Sequence, residues 1–507
     1  MKKLTTIMAA TVLLCGTAAW AATEADLQSQ VKALQERVAQ LEAQQTEQRI
    51  NERTAELARN LVADLAKAQP LTAANTGMTA GYDKRFFIKS ADDTFKLEFD
   101  ARFQFRHSYW LTDAHKKDVT KEGLSSTDID NINLGLPVDD QYRYDGVDSS
   151  ANAFELERAR LILQGQLLKD LKFKLQIDGD SDSADFVEML DYWVAYSFMP
   201  ELGVRVGRDK AAFGKQENTS SGRLMLVDRS LANEVFNISR ATGIEVFGDL
   251  PVGDTKLNYR VGLYNDFQDQ GSTPFENDNN PAIASRLVLP LLGATTADFK
   301  NESDYMNHEN AVMQLGASFA YSNSTTEDHF SGGSSDNYEV LAPAGGASVG
   351  GDGRTNIVEL GGEATMFGAD MAMKYRGLSV ILEGFYQHAN LDSGEVSFEH
   401  DFGSARDSYG LKGYDLDNYG WLAQSGYFIV PKSFELVSRI SGVCVDGSND
   451  SYEYAGGWNW YLAGQDLKIS MDVTYIDDLP LESSSPNLHG VQNNSLFLVR
   501  TQLQMQF

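Results

Sequence analysis

The sequence LFLVRTQLQMQF, residues 496–507, decides the fold. Successive side chains of a β-strand point to opposite faces, so a strand here has one apolar face and one polar face. The apolar face carries Phe497, Val499, Leu503, Met505 and Phe507, and the polar face carries Arg500 with three glutamines. A strand that faces lipid on one side and water on the other, and ends on an aromatic residue, is typical of an outer-membrane β-barrel.

The first residues predict export from the cytoplasm. Lys2 and Lys3 precede an apolar stretch over residues 4–14, and Ala19-Trp20-Ala21 fits the small-residue pattern of a cleavage site. Residues 1–21 are therefore predicted to be a signal peptide, and a lipoprotein anchored through Cys15 is the alternative. After cleavage Cys444 is the only cysteine, so we expect no internal disulfide.

Hydropathy and charge exclude other classes of protein. Outside the signal, no apolar run reaches the roughly 18 residues that a membrane-spanning helix needs. The formal net charge is −29, and removal of Lys2 and Lys3 takes it to −31. This charge excludes a nucleic-acid partner held through phosphate contacts. It does not exclude an anion channel, because charges in outer loops and charges in a lumen act at different places.

Residues 22–75 have a different periodicity from the rest of the chain. Leu27, Val31, Leu34, Val38 and Leu41 recur at spacings of 4, 3, 4 and 3. These spacings predict a short α-helical coiled coil that associates with further copies of itself. The alternative is a single amphipathic helix lying on the barrel, and the pattern does not decide between a dimer and a trimer.

From Phe95 onward the hydrophobic period is two residues, which predicts strands. Sixteen can be placed, near residues 95–110, 154–168, 171–180, 186–198, 202–210, 240–249, 255–266, 282–290, 311–322, 363–375, 378–390, 416–430, 433–445, 452–462, 466–477 and 495–507. We therefore predict an all-β fold, a transmembrane antiparallel β-barrel of about 16 strands over residues 76–507. The N-terminal α-helical coiled coil precedes it.

The lengths of the connections support this fold. Outer-membrane barrels alternate short periplasmic turns with long outer loops. The chain alternates in this way, for example with the short turns 169–170 and 376–377 and the long loop 211–239. Connection 291–310 is the exception, because it falls at a periplasmic position yet has about twenty residues. An even strand count places both termini, and the coiled coil, in the periplasm.

Several short motifs follow one another along the predicted strands. They include Phe95-Lys96-Leu97, Glu157-Arg158-Ala159-Arg160-Leu161, Asp191-Tyr192-Trp193-Val194, Val204-Arg205-Val206-Gly207-Arg208, Asp228-Arg229-Ser230, Tyr375-Arg376-Gly377-Leu378-Ser379 and Tyr419-Gly420-Trp421. In this order they resemble the phosphate-selective porin O and P family, over nearly the whole mature barrel. The resemblance implies a trimeric, anion-selective porin of the outer membrane, with arginines and lysines along the path and loop 211–239 folded into the pore. The expected partners are small inorganic anions, outer-membrane lipid and lipopolysaccharide, the barrel-assembly machinery and, in a homotrimer, further copies of the chain.

Lysines and arginines that face the lumen are the candidate anion pathway, because fixed cations lower the cost of dehydrating an anion. Guanidinium groups stay charged and offer paired donors to an oxyanion. By strand parity the inward cations are Arg102, Arg106, Arg158, Arg160, Lys172, Lys174, Arg205, Arg260, Arg286, Lys374, Arg439, Lys468 and Arg500, and loop 211–239 adds Lys215, Arg223 and Arg229. The same parity turns acids inward, and these would neutralise much of the pathway: Glu98, Asp100, Asp178, Asp191, Glu245, Asp370, Glu383, Glu435 and Asp472.

Three functions remain open at this point. The leading hypothesis is a channel for passive diffusion of small anions, such as phosphate or related oxyanions. The second is a general or cation-preferring porin of the same fold, and the third is a structural tether that uses the coiled coil. The chain has no H-E-x-x-H, P-loop or paired C-x-x-C motif, so we expect no enzyme, metal or cofactor.

Overall fold

A computed structural model describes residues 77–83, 85–112, 150–179, 188–265, 281–324, 356–358, 362–391, 395–399, 406–410, 414–445, 450–479 and 495–507. All of them belong to one compact unit, Gly77–Phe507. The predicted signal peptide and coiled coil lie outside the described residues. Within those residues no helix is long and apolar enough to cross a membrane.

The described residues form mainly β-strands. They are β1 (Met78–Tyr82), β2 (Phe86–Ser90), β3 (Phe95–Thr112), β4 (Ser150–Leu167), β5 (Leu171–Asp178), β6 (Glu188–Met199), β7 (Leu202–Lys210), β8 (Arg240–Val252), β9 (Thr255–Tyr264), β10 (Ala282–Leu291), β11 (Val312–Ser324), β12 (Asn356–Val358), β13 (Gly362–Tyr375), β14 (Leu378–Leu391), β15 (Glu395–Glu399), β16 (Arg406–Gly410), β17 (Tyr414–Val430), β18 (Phe434–Cys444), β19 (Ser451–Ala463), β20 (Leu467–Asp477) and β21 (Leu496–Gln506).

Sixteen of these strands close into an antiparallel barrel, as the alternation predicts. They are β3 to β11, β13, β14 and β17 to β21, and each pairs with the next. The ring closes between β21 and β3, with Met505 opposite Phe103. The backbone of Phe507 exchanges two hydrogen bonds with Ala101, at 3.0 and 2.8 Å. Closure gives each of these sixteen strands a hydrogen-bonded neighbour on both sides, whereas an open sheet in lipid would leave the backbone groups of two edge strands unpaired.

The two faces of the strands follow the predicted parity. In β21, Phe497 and Leu503 lie exposed on the outer face, whereas Arg500, Gln502 and Gln504 are buried on the inner face. Apolar side chains point to the outside of the barrel because lipid, and not a packed protein core, surrounds it. The inner face is therefore the place to search for function.

Two small features were not predicted from the sequence. The hairpin β1–β2 pairs with β3 through Ile88 opposite Leu97, and so continues the sheet where β21 ends. Strands β12, β15 and β16 form a separate three-stranded sheet. All five strands have three to five residues, too few for a clear alternation to stand out.

Two connections contain helical turns. The loop at residues 211–239, here the constriction loop, contains α1 (Lys215–Asn218), a 3₁₀ turn (Ser221–Arg223) and α2 (Leu231–Phe236). The connection at residues 292–311, here the long turn, contains a 3₁₀ turn over Thr296–Phe299. In that turn a capping box joins Thr295 and Asp298, with the Thr295 N–H donating to the carboxylate at 2.7 Å.

Candidate functional site

The constriction loop folds into the barrel and crosses its lumen. Backbone N–H groups along it donate to inward side chains of widely separated strands. Gly214 donates to Ser318 of β11 at 3.2 Å, and Leu231 donates to Glu453 of β19 at 2.7 Å. The loop therefore narrows the channel from within, as the family resemblance implied.

Apolar packing holds the same loop against the barrel wall. The rings of Phe213 and Phe236 lie 6.1 and 5.7 Å from the ring of Phe385 on β14. Phe213 and Phe236 are almost fully buried. Burying an aromatic side chain contributes about 1.5–3 kcal/mol, so these two rings are strong anchors.

Inward carboxylates hold the loop by its backbone. Glu383 accepts from the N–H groups of Lys215 and Gln216, the latter at 3.0 Å. Asp472 accepts from the N–H of Val227 at 3.0 Å. The acids that parity turns inward therefore have a structural role besides neutralising arginines.

Asp228 of the constriction loop gathers the arginines of β3 and β4. Its carboxylate lies 2.9 Å from Arg106 and 3.7 Å from Arg158, and Glu157 contacts the same two guanidinium groups at 2.9 and 3.0 Å. Burial raises the pKa of Asp228, but Arg158 and Arg106 outweigh it and hold the pKa well below its usual range. These two predicted pathway residues are therefore neutralised locally.

Most of the remaining predicted cations also have an acidic partner. The pairs are Arg160–Asp178, Lys174–Asp191, Arg205–Glu245, Arg260–Glu245, Arg286–Asp370, Arg439–Glu453, Arg500–Asp472 and, within the loop, Arg229–Glu217. The inward acids thus neutralise much of the cationic path, as parity predicts. Lys374 and Lys468 instead donate to backbone carbonyls, for Lys468 that of Leu224 at 2.9 Å.

Besides these two lysines, four of the predicted cations contact no carboxylate of any described residue: Lys172, Arg102, Arg223 and Lys215. Arg102 donates to Ser221 Oγ at 3.1 Å, and Arg223 donates to Asn301 Oδ1 at 2.7 Å. The ammonium of Lys215 lies 5.8 Å from the centre of the Phe299 ring. Burial lowers the pKa of Lys215, so an anion bound beside it would favour its charged form.

Arg102 and Arg160 converge on one hydroxyl group of the loop. Arg160 also donates to Ser221 Oγ at 3.1 Å, so a single oxygen accepts from two guanidinium groups. The neighbouring Gly222 permits this approach, because a Cβ there would lie 2.8 Å from Arg102 Nε. Two like charges brought together in this way attract an anion.

The long turn enters the lumen from the opposite end of the barrel. Lys374 of β13 donates to three of its carbonyls, those of Asp298, Asn301 and Ser303, at 2.7, 2.7 and 2.9 Å. Asp304 accepts from the N–H of Gly377 at 2.8 Å. The unusual length of this connection therefore fills space inside the barrel.

Glu302 joins the long turn to the constriction loop. Its carboxylate accepts from the N–H of Met225 and from Gln424, both at 2.8 Å, and its own N–H donates to the carbonyl of Arg223 at 3.1 Å. Glu302 is almost fully buried. Sequence reasoning missed this residue, and its only signal was the unexpected length of the turn.

A cavity of about 340 Å³ lies between the two segments and the wall of β9 to β11. Its charged lining residues are Lys215, Arg223, Arg260, Arg286 and Lys300, and no carboxylate lines it. Of these five, Arg260 and Arg286 are neutralised from behind by Glu245 and Asp370. Lys300 was not predicted, because it lies in a turn to which strand parity does not apply. Across the described residues, no cluster of three or more metal-ligand side chains is found.

Residues 131–287 match the family model described as phosphate-selective porin O and P. The resemblance to this porin family is confirmed. The matched segment of the porin includes Arg158, Arg160 and the constriction loop, and it ends within β10. No curated protein matches the chain at a significant level.

Solved structures of outer-membrane proteins are similar to the chain at low sequence identity. An anion-selective porin from Comamonas acidovorans is 14% identical, covers 82% of this chain and 100% of its own, and has a TM-score of 0.45. A loop L8 deletion mutant of OmpT from Vibrio cholerae is 11% identical, with coverages of 81% and 100% and a TM-score of 0.44. The channel DcaP of Acinetobacter baumannii is 10% identical, with coverages of 84% and 100% and a TM-score of 0.44.

The family match and the closed barrel together indicate an outer-membrane porin channel. The apolar outer face and the charged lumen are what such a channel requires.

Proposed function

We propose that this porin passes small anions by diffusion and prefers phosphate or related oxyanions. The observation that carries the proposal is the cavity lined by five cations and no carboxylate. An anion entering it exchanges water for fixed ammonium and guanidinium donors, which lowers the cost of dehydration. Arginine adds planar paired donors that match the edge of an oxyanion.

The strongly acidic mature chain does not contradict this selectivity. Charge acts on an ion within about a Debye length, roughly 8 Å at physiological ionic strength, so the lining of the narrow path matters most. There, the acids Asp370, Asp472 and Glu383 are used in ion pairs or in bonds to the constriction loop. Arg102, Lys215, Arg223 and Lys300 add positive charge to this lining, and none of them contacts a described carboxylate.

The sign of the reversal potential under a salt gradient tests the proposal. We expect an anion-selective sign in a planar bilayer, and we expect millimolar phosphate to reduce the chloride current. A cation-selective sign would overturn the proposal. It would favour a general or cation-preferring porin, which the many neutralised arginines support as the second candidate.

We base the proposals for the rest of the chain on its sequence alone. They are a signal peptide at residues 1–21, a periplasmic coiled coil at 22–75 and a porin barrel at 76–507, assembled as a homotrimer by the barrel-assembly machinery among lipopolysaccharide and lipid. Deletion of residues 23–68 tests the coiled coil. Loss of the trimer would give it a role in assembly. The absence of any conductance in a planar bilayer would instead favour the structural tether.

A further inference from the structure

The long turn is fixed inside the barrel firmly enough to form part of a binding site. Three carbonyls of the turn point at the Lys374 ammonium, which is buried. His308 and the N–H of Gly377 both contact Asp304, which is fully buried. The turn is therefore bonded to β13 and to the turn that follows it.

The long turn and the constriction loop form one continuous surface. Glu302 bonds to Met225, and Asn301 accepts from Arg223 at 2.7 Å. Lys300 follows directly on Phe299, whose ring packs beneath Lys215 and Lys374. Cations from two distant parts of the sequence are in this way brought to one cavity.

The charge of that cavity is unbalanced. Arg260 and Arg286 are each paired with a carboxylate, at 2.8 and 2.7 Å. Lys215, Arg223 and Lys300 have no carboxylate contact among the described residues, so three lining cations lack a directly paired acid. The neutral lining groups are donors and acceptors such as Asn218, Ser220, Thr296 and Gln314.

The size of the cavity indicates a ligand larger than a single ion. Its 340 Å³ falls within the roughly 300–1,000 Å³ typical of small-molecule sites. A monovalent anion would neutralise only one of the three unpaired cations. An anion with two or three separate charged groups would contact cations on both the loop and the turn.

We propose that this cavity is a binding site for multivalent organic oxyanions, on the periplasmic side of the constriction and separate from the Arg102–Arg160 pair. The inference deepens the proposed function and rests on it. The shared chemistry of the ligand is two or more carboxylate or phosphate groups on one small molecule. The long turn is present in the lumen because it completes this site.

Calorimetric titration of the full chain in detergent tests the site without requiring conduction. The probes are acetate, citrate and fructose 1,6-bisphosphate. We expect citrate, the bisphosphate or both to bind saturably, and acetate to bind far more weakly. Binding of only one of the two identifies the headgroup chemistry, and binding of neither overturns the proposal.

Variants assign binding to the cavity. Lys300 is exposed, so K300Q removes one charge without disturbing a buried contact. We expect K300Q to weaken binding of the multivalent probe about fivefold, the loss of one ion pair worth about 1 kcal/mol. Lys256 is the matched control. It is an exposed lysine at the start of β9, the strand whose Asn258 and Arg260 line the cavity, but it does not line the cavity itself. Equal effects of K300Q and K256Q would overturn the site.

The two proposals fail in different ways. An anion-selective reversal potential without multivalent binding leaves the porin an anion channel and removes this site. Multivalent binding that K300Q weakens, together with a cation-selective potential, keeps the site and overturns the anion channel.

Discussion

Arg102 and Arg160 donate to the same oxygen, Ser221 Oγ, each at 3.1 Å. Arg160 is also paired with Asp178, but Arg102 contacts no carboxylate of the described residues. The pair therefore keeps a net positive charge at the point where the constriction loop meets the wall of β3 and β4. A chloride or phosphate ion that displaces the hydroxyl would gain both guanidinium groups.

The first prediction concerns this charge. R102Q removes a cation that no acid neutralises, so the permeability ratio of chloride to potassium should fall several-fold. The measurement is the reversal potential under a salt gradient. K89Q is the control, because Lys89 lies in the hairpin before the barrel and is paired with Asp93. An unchanged ratio in R102Q would remove Arg102 from the pathway.

The second prediction concerns the buried pair Arg500–Asp472, whose atoms lie 2.9 Å apart. R500Q leaves the fully buried Asp472 without its partner, which should reduce the free energy of unfolding by about 3–5 kcal/mol. Replacing both residues, as R500Q with D472N, should cost less than R500Q alone. The midpoint of unfolding by denaturant measures both effects. If the double variant were less stable than R500Q, the interaction with Val227 would be the more important role of Asp472.

Much of this site could be predicted from the sequence because period two assigns every strand residue to a face. Parity correctly placed Arg102, Arg500 and Asp472 inside the barrel. It also predicted that the inward acids would neutralise much of the cationic pathway. Parity has no meaning in a loop, so the contacts of Ser221 and Asp228 were out of reach. The long turn was recognised only as an exception in length. Nothing in residues 292–311 reveals that Lys374 binds carbonyls of this turn, the farthest of them 76 residues away. The short hairpin β1–β2 had too few residues to show a period.

The third prediction concerns pH. Burial, followed by the charges of Asp228 and Glu217, raises the pKa of Glu234 in the constriction loop to about 7, against the opposing effects of Arg229 and Arg158. As pH rises through 7, Glu234 becomes charged, so anion selectivity should fall. Because the folded pKa lies above the usual 4.5, the free energy of unfolding should also decrease between pH 4.5 and 7. E234Q should flatten both profiles, and a wild-type profile that E234Q reproduces would assign the titration to another group.

The fourth prediction tests whether the long turn holds the constriction loop in place. Glu302 links the two through Met225, Gln216 and Arg223. E302A removes the acceptor and leaves the N–H of Met225 without a partner in a buried place, which should cost about 1–3 kcal/mol. The loop would then be less tightly fixed, so single-channel conductance should rise and become noisier while anion selectivity falls. E309A is the matched control, because Glu309 lies in the same turn but is exposed. If E302A conducted like the wild type, the other contacts of the loop, such as those of Phe213, Phe236 and Glu383, would be sufficient to position it.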